Sequence, residues 1–529
     1  MTQPSQPAAR PTSFRLQPSA LLLAALVALY VAARLWRLTG SCLWFDELFG
    51  VHAARHTWAG LWRFVAADLI HPPLFYALLK VWVAAGGESL LWLRLFPVVA
   101  AAAALVPLLL LARELRLGAA ETNVALLVAA ANGYLVKYAQ EVRMYGLLLL
   151  LTLTSLWLFA RLVNKEGGAR GLLVALFFVN LLLVYTHYYG WLVVVSEGVF
   201  LAVRARRRLG AFSLTAAGLA VAYVPWVLAC LGAAGAAGGL AQNIGWIGRP
   251  GPLELFELFA LFNQPFYFRQ SSAEPLFVRA GALLGLLLVG LPVAVLMFKR
   301  TGRRDEGGDG TGGTVAFLLT FTLLPVILAF AASYVLPQSV WGTRHLIVAA
   351  GPYALLAGVA LGRLRPAWWR AAALILLCCW AALAGALNLV RREPAYVWCA
   401  WEGLAASAAR DGAGAGELYA FEDLVAYHLW FALSGDGRFR VASVKGAPGV
   451  AEDPAYFLPR DFQGVSVATT DALKGERFWA AFRDTSWDES RQPLKLILER
   501  GYRAERVYET AAQGQRAFLV LFRQPDRAK

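Results

Sequence analysis

Long apolar runs recur along most of this chain, and they constrain its fold more than any other feature. A membrane-spanning helix needs about 20 mostly apolar residues, and runs of that kind, closed by charged residues, occur eleven times. Only 16% of the residues are charged and 59% are hydrophobic, which excludes an ordinary soluble protein. We therefore predict a polytopic α-helical membrane protein of about eleven spans. The predicted spans are 18–36, 93–112, 121–138, 145–162, 171–187, 190–203, 212–232, 276–298, 314–334, 346–362 and 370–390.

The distribution of charge predicts how these spans are oriented. Residues 391–529 contain 19 basic and 19 acidic residues, so the whole net charge of +15 belongs to the part before them. There the basic residues cluster in alternate short loops, and such loops stay on the cytoplasmic side. The N-terminus is thus predicted inside and the C-terminus outside. A nucleic-acid partner is not expected, because each cluster lies between apolar spans. The clusters are Arg113/Arg116, Arg161/Lys165/Arg170, Arg204/Arg206/Arg207/Arg208, Lys299/Arg300/Arg303/Arg304 and Arg363/Arg365/Arg370.

The composition divides the chain into three predicted parts. Residues 1–17 are rich in Pro, Ser and Gln and are predicted to be a disordered cytoplasmic tail. Residues 18–390 form the membrane domain, with a first outer loop at 39–92. In that loop, Leu74–Val83 is apolar but short for a span, so we expect interfacial helices there.

Residues 391–529 are polar and mixed in composition, and they are predicted to form an extracytoplasmic α/β domain. Four segments have the pattern of strands and two have that of helices. The five cysteines follow no spacing that argues for a disulfide framework or a metal site. The predicted strands are Glu417–Phe421, Arg438–Val444, Arg506–Glu509 and Ala517–Phe522, and the predicted helices are Leu424–Leu433 and Leu494–Arg500.

Ionisable and polar aromatic residues gather in the loops that are predicted to face outward. Such groups at membrane depth are costly and usually functional, so their concentration on one side predicts a single outward-facing site. Glu197 lies inside a predicted span, where we expect a hydrogen bond to a neighbouring helix. The candidate site residues are Asp46, Glu47, His71, Tyr138, Gln140, Glu141, Arg143, Tyr145, His187, Arg344 and His345.

Six short motifs on this outer side occur in a fixed order: WFDELFG, HPPLFYALL, RLFP, YAQEVRMYGLLLLL, THYY and TRHLIVAAGPYALL. Together they resemble the glycosyltransferase family 39 and protein O-mannosyltransferase group of the C-type (GT-C) superfamily. They are also similar to the aminoarabinose transferases that modify lipid A. The resemblance covers roughly residues 20–365. It implies a GT-C-like fold and an enzyme that moves a sugar from a polyprenyl-phosphate carrier to an acceptor hydroxyl, with inversion at the anomeric carbon.

The chemistry of such a transfer assigns roles to the candidate residues. An acceptor hydroxyl needs a carboxylate base, and we assign Asp46 to that role, with Glu47 orienting the acceptor or coupled to Asp46 by charge. A phosphate leaving group needs cations. We assign Arg143, Arg344, His71 and Tyr145 to the donor phosphate and its lipid. Gln140, Glu141, His187, Tyr138 and His345 are predicted to contact the substrates. No cofactor is required by the pattern, although Asp46, Glu47, His71 and Glu141 could supply ligands for a divalent cation.

Other functions remain open on the sequence. A transporter or glycolipid flippase would also have many spans, but it should contain internal repeats and broken helices at the midplane. A carrier-lipid-dependent polymerase or ligase would concentrate function in a late loop such as 233–275. A scaffold that binds a partner through its outer domain would leave the ordered motifs unexplained. No lysine lies within the five residues after HPPL, which puts a protein acceptor in doubt beside a glycan or lipid acceptor. The Ala-, Leu- and Arg-rich composition favours a bacterial cytoplasmic membrane.

Overall fold

The computed structural model describes residues 18–234, 244–245, 247–266, 276–301, 311–390, 399–410, 416–434, 436–446, 464–512 and 515–524. The predicted disordered tail, 1–17, and the first residues of the predicted outer domain, 391–398, lie outside the described residues.

Helices dominate the first 390 residues, and each of the eleven predicted spans coincides with helical structure. Six helical segments of the described chain are long and apolar enough to cross a membrane, and five shorter apolar helices accompany them. The helices are α1 Pro18–Leu35, α2 Phe45–Arg55, α3 Trp58–Asp68, α4 Leu74–Gly86, α5 Leu90–Ala103, α6 Leu105–Glu114, α7 Ala119–Ala131, α8 Gly133–Gln140, α9 Tyr145–Asn164, α10 Arg170–Thr186, α11 Gly190–Arg204, α12 Arg206–Ala234, α13 Pro252–Asn263, α14 Leu276–Gly285, α15 Leu291–Thr301, α16 Thr311–Val335, α17 Ile347–Gly362 and α18 Ala367–Val390.

The packing of α17 against α7 shows how small residues set the distance between helices. A Cβ atom on Gly358 would lie 2.4 Å from the carbonyl oxygen of Glu121, so only glycine permits this approach. Small residues at helix crossings serve the same purpose in membrane proteins generally. The Glu121 carboxylate also accepts a hydrogen bond of 2.7 Å from Arg363, which directly follows the same end of α17. The C-terminal end of α17 is thereby fixed against α7, and a short 3₁₀ turn, Thr343–Leu346, precedes its N-terminal end.

Three helices, α2 to α4, fill the predicted first outer loop. Asp46 and Glu47 lie in the first turn of α2, where the helix dipole favours carboxylates. Helix α3 ends at Asp68, and the following residue, Leu69, adopts a left-handed conformation with φ 62°. Two prolines then precede α4, which begins at Leu74, as proline favours the start of a helix. The apolar segment predicted to be interfacial is therefore helical.

The C-terminal region contains a six-stranded sheet in the order β3-β2-β1-β4-β6-β5. The first four strands in that order are parallel, and β6 is antiparallel to both β4 and β5. All four predicted strands and both predicted helices are present, whereas β3, β4 and a helix at 400–410 were not predicted. The elements are α19 Ala400–Arg410, β1 Gly416–Ala420, α20 Asp423–Ala432, β2 Phe439–Lys445, β3 Ser466–Thr469, β4 Arg477–Arg483, α21 Leu494–Glu499, β5 Arg503–Ala512 and β6 Gln515–Arg523.

Both faces of this sheet are covered, because alternate side chains of each strand enter different cores. Leu418 of β1 and Leu519 of β6 belong to the core shared with α19, α20 and the helical part of the chain. Tyr419 and Phe518, one residue away on the same strands, belong to a second core with α21. This alternation is the normal consequence of strand geometry, and it gives the sheet a contact with the membrane part on one face only.

A disulfide joins Cys42, just before α2, to Cys399, just before α19. The two residues are 357 positions apart, and the sequence had given no reason to pair them. The bond ties the start of the C-terminal region to the segment that carries Asp46 and Glu47.

Candidate active site

Asp46 lies between two arginines that come from distant parts of the chain. Arg344 donates a hydrogen bond of 3.0 Å from Nη1 to Asp46 Oδ2, and Arg143 Nη2 lies 3.9 Å from the same oxygen. Arg143 also donates from Nη1 to the backbone oxygen of Asp46 at 3.0 Å. The side chains of Asp46 and Arg344 are 20% and 26% exposed, whereas that of Arg143 is 3% exposed. The Asp46 carboxylate is thus contacted by Arg143 on its buried side and is partly exposed on its other side.

Tyrosines hold the segment that carries Arg344. The hydroxyl group of Tyr134 donates to the backbone oxygen of Thr343 at 2.8 Å, and that of Tyr189 donates to the backbone oxygen of Val340 at 2.5 Å. These bonds fix the 3₁₀ turn Thr343–Leu346 before α17. The position of the Arg344 guanidinium group is therefore set by the fold.

Three histidines lie beside the two arginines, and they come from three different loops. The ring centroids of His71 and His187 are 5.2 Å apart, those of His71 and His345 are 5.9 Å apart, and those of His187 and His345 are 4.6 Å apart. Arg143 Nη2 lies 3.2 Å from His71 Nδ1. We call Asp46, Arg143, Arg344 and these three histidines the Asp46 cluster. One ring nitrogen of each histidine lies within 4.8 Å of the others, so a metal ion is one ligand to consider.

Tyr145 and Tyr138 form an aromatic wall next to this cluster. Their ring centroids are 4.9 Å apart, and the centroid of Tyr145 is 6.2 Å from that of His345. Within the described residues, the buried hydroxyl group of Tyr145 has no hydrogen-bond partner, so it is free to bind a ligand. The structure thus brings these two predicted site residues to the cluster.

Glu47 has a different environment from its neighbour Asp46. Its side chain is fully buried, and its carboxylate accepts hydrogen bonds from the backbone nitrogens of Val142 at 2.7 Å and Trp44 at 2.9 Å. Arg94 Nη2 lies 3.4 Å from it. Burial raises the pKa of the Glu47 carboxyl group, and Arg94 opposes the rise. These contacts favour a supporting role, because Glu47 fixes the loop before Arg143 and does not face the open side.

Gln140 and Glu141, which were predicted to contact substrate, have partners at the end of α8. The Gln140 amide donates to the backbone oxygens of Arg34 at 3.0 Å and Trp36 at 2.8 Å. Glu141 lies 3.4 Å from Lys137 Nζ, one helical turn away. Gln140 therefore ties the end of α8 to the end of α1, whereas the buried Oε2 atom of Glu141 has no hydrogen-bond partner among the described residues.

Several residues that shape the site had no assigned role in the sequence. Arg94 belongs to the RLFP motif and Tyr189 to the THYY motif, so the motifs marked these positions but did not indicate what the two side chains do. Asp68 is a further carboxyl group at this site, next to Arg143 and Asp46. Burial raises the pKa of Asp68 to about 7, and Arg143 opposes the rise.

Comparison with known proteins supports the fold. No protein-family model matches this sequence, and no curated protein matches it either. Among solved structures, ArnT from Cupriavidus metallidurans bound to undecaprenyl phosphate superposes with a TM-score of 0.56 and 15% identity, covering 94% of this chain and 97% of that one. The apo form of ArnT gives a TM-score of 0.54 at 14% identity with the same coverage.

A third solved structure is the archaeal oligosaccharyltransferase AglB from Archaeoglobus fulgidus, in complex with an inhibitory peptide and a dolichol phosphate. It has a TM-score of 0.46 and 15% identity and covers 73% of this chain and 57% of that one. The likeness to ArnT, which extends over nearly the whole of both chains, shows that this protein has the GT-C fold. The predicted fold class is confirmed, including the sheet-containing C-terminal region.

Proposed function

We propose that this protein is a membrane glycosyltransferase that moves a sugar from a polyprenyl-phosphate-linked donor to an acceptor hydroxyl. The observation that carries the proposal is the carboxylate of Asp46, partly exposed and placed between Arg143 and Arg344, on a GT-C fold. This reaction needs a general base for the acceptor hydroxyl and cations that can bind the donor phosphate, and a carboxylate beside two arginines can supply both. A structure of the same fold, ArnT, was solved with undecaprenyl phosphate bound, which supports a polyprenyl phosphate as the carrier.

The proposed reaction is a single displacement. Asp46 accepts the proton of the acceptor hydroxyl group while the oxygen of that hydroxyl group forms a bond to the anomeric carbon. The bond between that carbon and the phosphate oxygen breaks, and polyprenyl phosphate leaves with both bonding electrons. Arg143 and Arg344 stabilise the charge that develops on the phosphate. The anomeric centre inverts in such a displacement, which requires the acceptor hydroxyl and the leaving phosphate to lie on opposite sides of the sugar.

The ion pair between Asp46 and Arg344 fits this order of events. In the structure, Arg344 donates directly to Asp46, so the base is held by a cation. A donor phosphate would offer Arg344 a second anion and weaken its hold on the carboxylate. Asp46 would then become a better base once the donor is bound.

The site is proposed to face away from the cytoplasm of a bacterial inner membrane. Disulfides persist in oxidising compartments, and the Cys42–Cys399 bond lies four residues from Asp46 in the sequence. The basic loops predicted to be cytoplasmic agree with this orientation. The acceptor is proposed to be a glycan or a lipid, and a protein acceptor is the less favoured alternative.

Reconstituted protein tests the proposal against the flippase alternative. Purified protein in liposomes would be given a panel of synthetic polyprenyl-phosphate sugars and envelope lipids, with release of free polyprenyl phosphate measured by mass spectrometry. We expect release that depends on an acceptor. Movement of the intact donor across the bilayer without its consumption would favour a flippase and contradict the proposal.

A further inference from the structure

We infer that His71, His187 and His345 form a pocket for the phosphate oxygens of the carrier rather than a metal centre, with His187 donating from a neutral ring. This rests on the proposed function and adds a binding role for His187. The three rings lie together within the Asp46 cluster, and His71 and His187 are each only 2% exposed. A triad with nitrogens within 4.8 Å of one another resembles a zinc site at first sight. The positions of the ring protons decide between the two ligands.

The tautomer of His187 is set by the start of α11. The backbone nitrogen of Tyr189 donates to His187 Nδ1 at 3.0 Å. A backbone amide can only donate, so Nδ1 has a free electron pair and the single proton of a neutral ring must be on Nε2. Within the described residues, the buried Nε2 atom has no hydrogen-bond partner. His187 therefore presents an unused N–H donor.

A metal ion needs the opposite arrangement on this ring. The coordinating nitrogen must offer an electron pair, and the other nitrogen usually donates its proton to a carbonyl or carboxylate group. On His187, the only available electron pair is already used by Tyr189. Coordination would require loss of that hydrogen bond or removal of the ring's last proton.

His71 is limited in the same way by Arg143. The guanidinium group lies 3.2 Å from Nδ1 and 3.4 Å from Nε2, and it can only donate. Whichever nitrogen accepts is unprotonated, so the other carries the proton. Burial and the nearby Arg143 lower the pKa of His71 well below its usual value, which keeps the ring neutral. Neither His187 nor His71 thus has a free electron pair to offer a metal ion while its hydrogen bond is kept.

The charge of the surroundings also favours an anion. Arg143 Nη2 lies 3.2 Å from His71 Nδ1, so a divalent cation held among the three rings would be repelled by this guanidinium group. A phosphate group brings negative charge and several acceptor oxygens. It would be bound by the two guanidinium groups and by the histidine N–H donors together.

His345 completes the pocket, because the backbone leaves room for its ring. A Cβ atom on residue 342 would lie 2.5 Å from His345 Nδ1, so Gly342 is needed for this ring position. The Nε2 atom of His345 is buried and, among the described residues, has no hydrogen-bond partner. The pocket therefore contains the Nε2–H donor of His187 and, on His345, a second buried ring nitrogen without a partner among the described residues.

The test compares two substitutions of His187 in the full-length purified protein. Glutamine keeps an N–H group near the position of Nε2, whereas alanine removes it. Binding of undecaprenyl phosphate would be measured by thermophoresis, and zinc content by mass spectrometry after exposure to zinc and dialysis. We expect His187→Ala to weaken binding by about tenfold to a hundredfold, as for a lost hydrogen bond to a charged group. His187→Gln should stay close to wild type, and zinc should be far below one ion per chain.

Three outcomes would overturn the inference, and they are distinguishable. One zinc ion per wild-type chain that is lost in both variants would establish a metal centre and leave the proposed transferase function standing. Equal binding of undecaprenyl phosphate by the wild type and a folded His187→Ala variant would contradict only the role of His187 as a hydrogen-bond donor. Failure of the wild type to bind undecaprenyl phosphate would overturn the inference and the proposed function together. Arg440→Ala, whose side chain is 83% exposed in the C-terminal sheet, is the control.

Discussion

Two groups of buried polar side chains in this protein differ in how completely their hydrogen bonds are satisfied. The Glu197 cluster joins Ser155 of α9, Asn180 of α10 and Glu197 of α11. Ser155 Oγ lies 2.6 Å from both Asn180 Oδ1 and Glu197 Oε1, and the Asn180 amide donates to Glu197 Oε2 at 2.8 Å. All three side chains are buried, and their polar atoms pair with one another.

The Asp46 cluster is built from stronger charges and is left incomplete. Asp46 and Arg344 are partly exposed, and buried nitrogens of Arg143, His187 and His345 have no hydrogen-bond partner within the described residues. Buried polar groups without partners cost free energy, so their persistence here calls for a ligand. The comparison teaches that the Glu197 cluster is closed on itself, whereas the Asp46 cluster leaves polar atoms for a ligand, as the proposed function requires.

The largest expected effect is on turnover, which should fall on substitution in the Asp46 cluster and be retained on substitution in the Glu197 cluster. We expect Asp46→Asn to lower the rate of sugar transfer by about 10²- to 10⁴-fold, the usual contribution of a general base. Binding of the carrier lipid and the melting temperature should change little, because the amide keeps the size of the side chain. Glu197→Gln is the matched control and should retain turnover. An Asp46→Asn enzyme that turns over at the wild-type rate would rule out Asp46 as the base.

Much of the fold could be predicted because membrane helices must satisfy their own backbone hydrogen bonds. Each span therefore appears in the sequence as a continuous apolar run. Strand β4 was missed for a related reason: Phe478–Phe482 is buried on both faces of a central strand, so no alternation of apolar and polar residues marks it. The Cys42–Cys399 bond was missed because no local pattern connects residues so far apart.

The site was predicted in part, since the motifs identified residues but could not give their directions. Asp46 and Glu47 are adjacent on α2, and successive residues of a helix point about 100° apart. Which carboxylate faces the arginines Arg143 and Arg344 depends on how α2 packs, and the sequence does not contain that rotation. The pairing of Glu47 with Arg94 depends on the same packing.

The next effect concerns the buried support beneath the Asp46 cluster. Removing one member of a buried ion pair leaves the other without compensation, at a cost of about 3–5 kcal/mol. We therefore expect Glu47→Ala to lower the free energy of unfolding by about that amount, because it leaves the buried Arg94 guanidinium group without its counter-charge and two backbone nitrogens without their acceptor. Chemical denaturation of the detergent-solubilised protein measures it.

Glu88→Ala is the control for Glu47→Ala. Glu88 pairs with Arg55 at 2.6 Å, but both side chains are about 30% exposed, and surface ion pairs contribute about 0–1 kcal/mol. A Glu47→Ala protein as stable as Glu88→Ala, yet without transferase activity, would return Glu47 to a direct role in the chemistry.

A smaller effect is expected from removing a cation at the rim of the Asp46 cluster. Arg344→Ala should raise the apparent KM for the polyprenyl-phosphate donor by about tenfold to a hundredfold, since a hydrogen bond to a charged group contributes about 1.5–3 kcal/mol. The KM for the acceptor should change much less. Steady-state kinetics with each substrate varied in turn would measure both. An equal effect on both substrates would show that Arg344 does not act on the phosphate in particular.

The smallest expected effect lies in the Glu197 cluster, and it depends on counting protons. Ser155 has one hydroxyl proton, yet its oxygen lies within hydrogen-bond distance of two acceptor atoms, on Asn180 and Glu197. The simplest complete network has Ser155 donating to Asn180 and a neutral Glu197 carboxyl group donating to Ser155. Glutamine at 197 reproduces this pattern, because its amide nitrogen donates to Ser155 and its oxygen accepts from Asn180.

We therefore expect Glu197→Gln to change the free energy of unfolding by less than about 1 kcal/mol, whereas Asn180→Ala should cost about 1–3 kcal/mol by leaving its partners unpaired. Both variants should keep full turnover. Thermal unfolding in detergent and the donor-consumption assay would measure the two properties on the same samples. If Glu197→Gln is as unstable as Asn180→Ala, then Glu197 is charged, and the Glu197 cluster is no longer the closed, neutral counterpart of the Asp46 cluster.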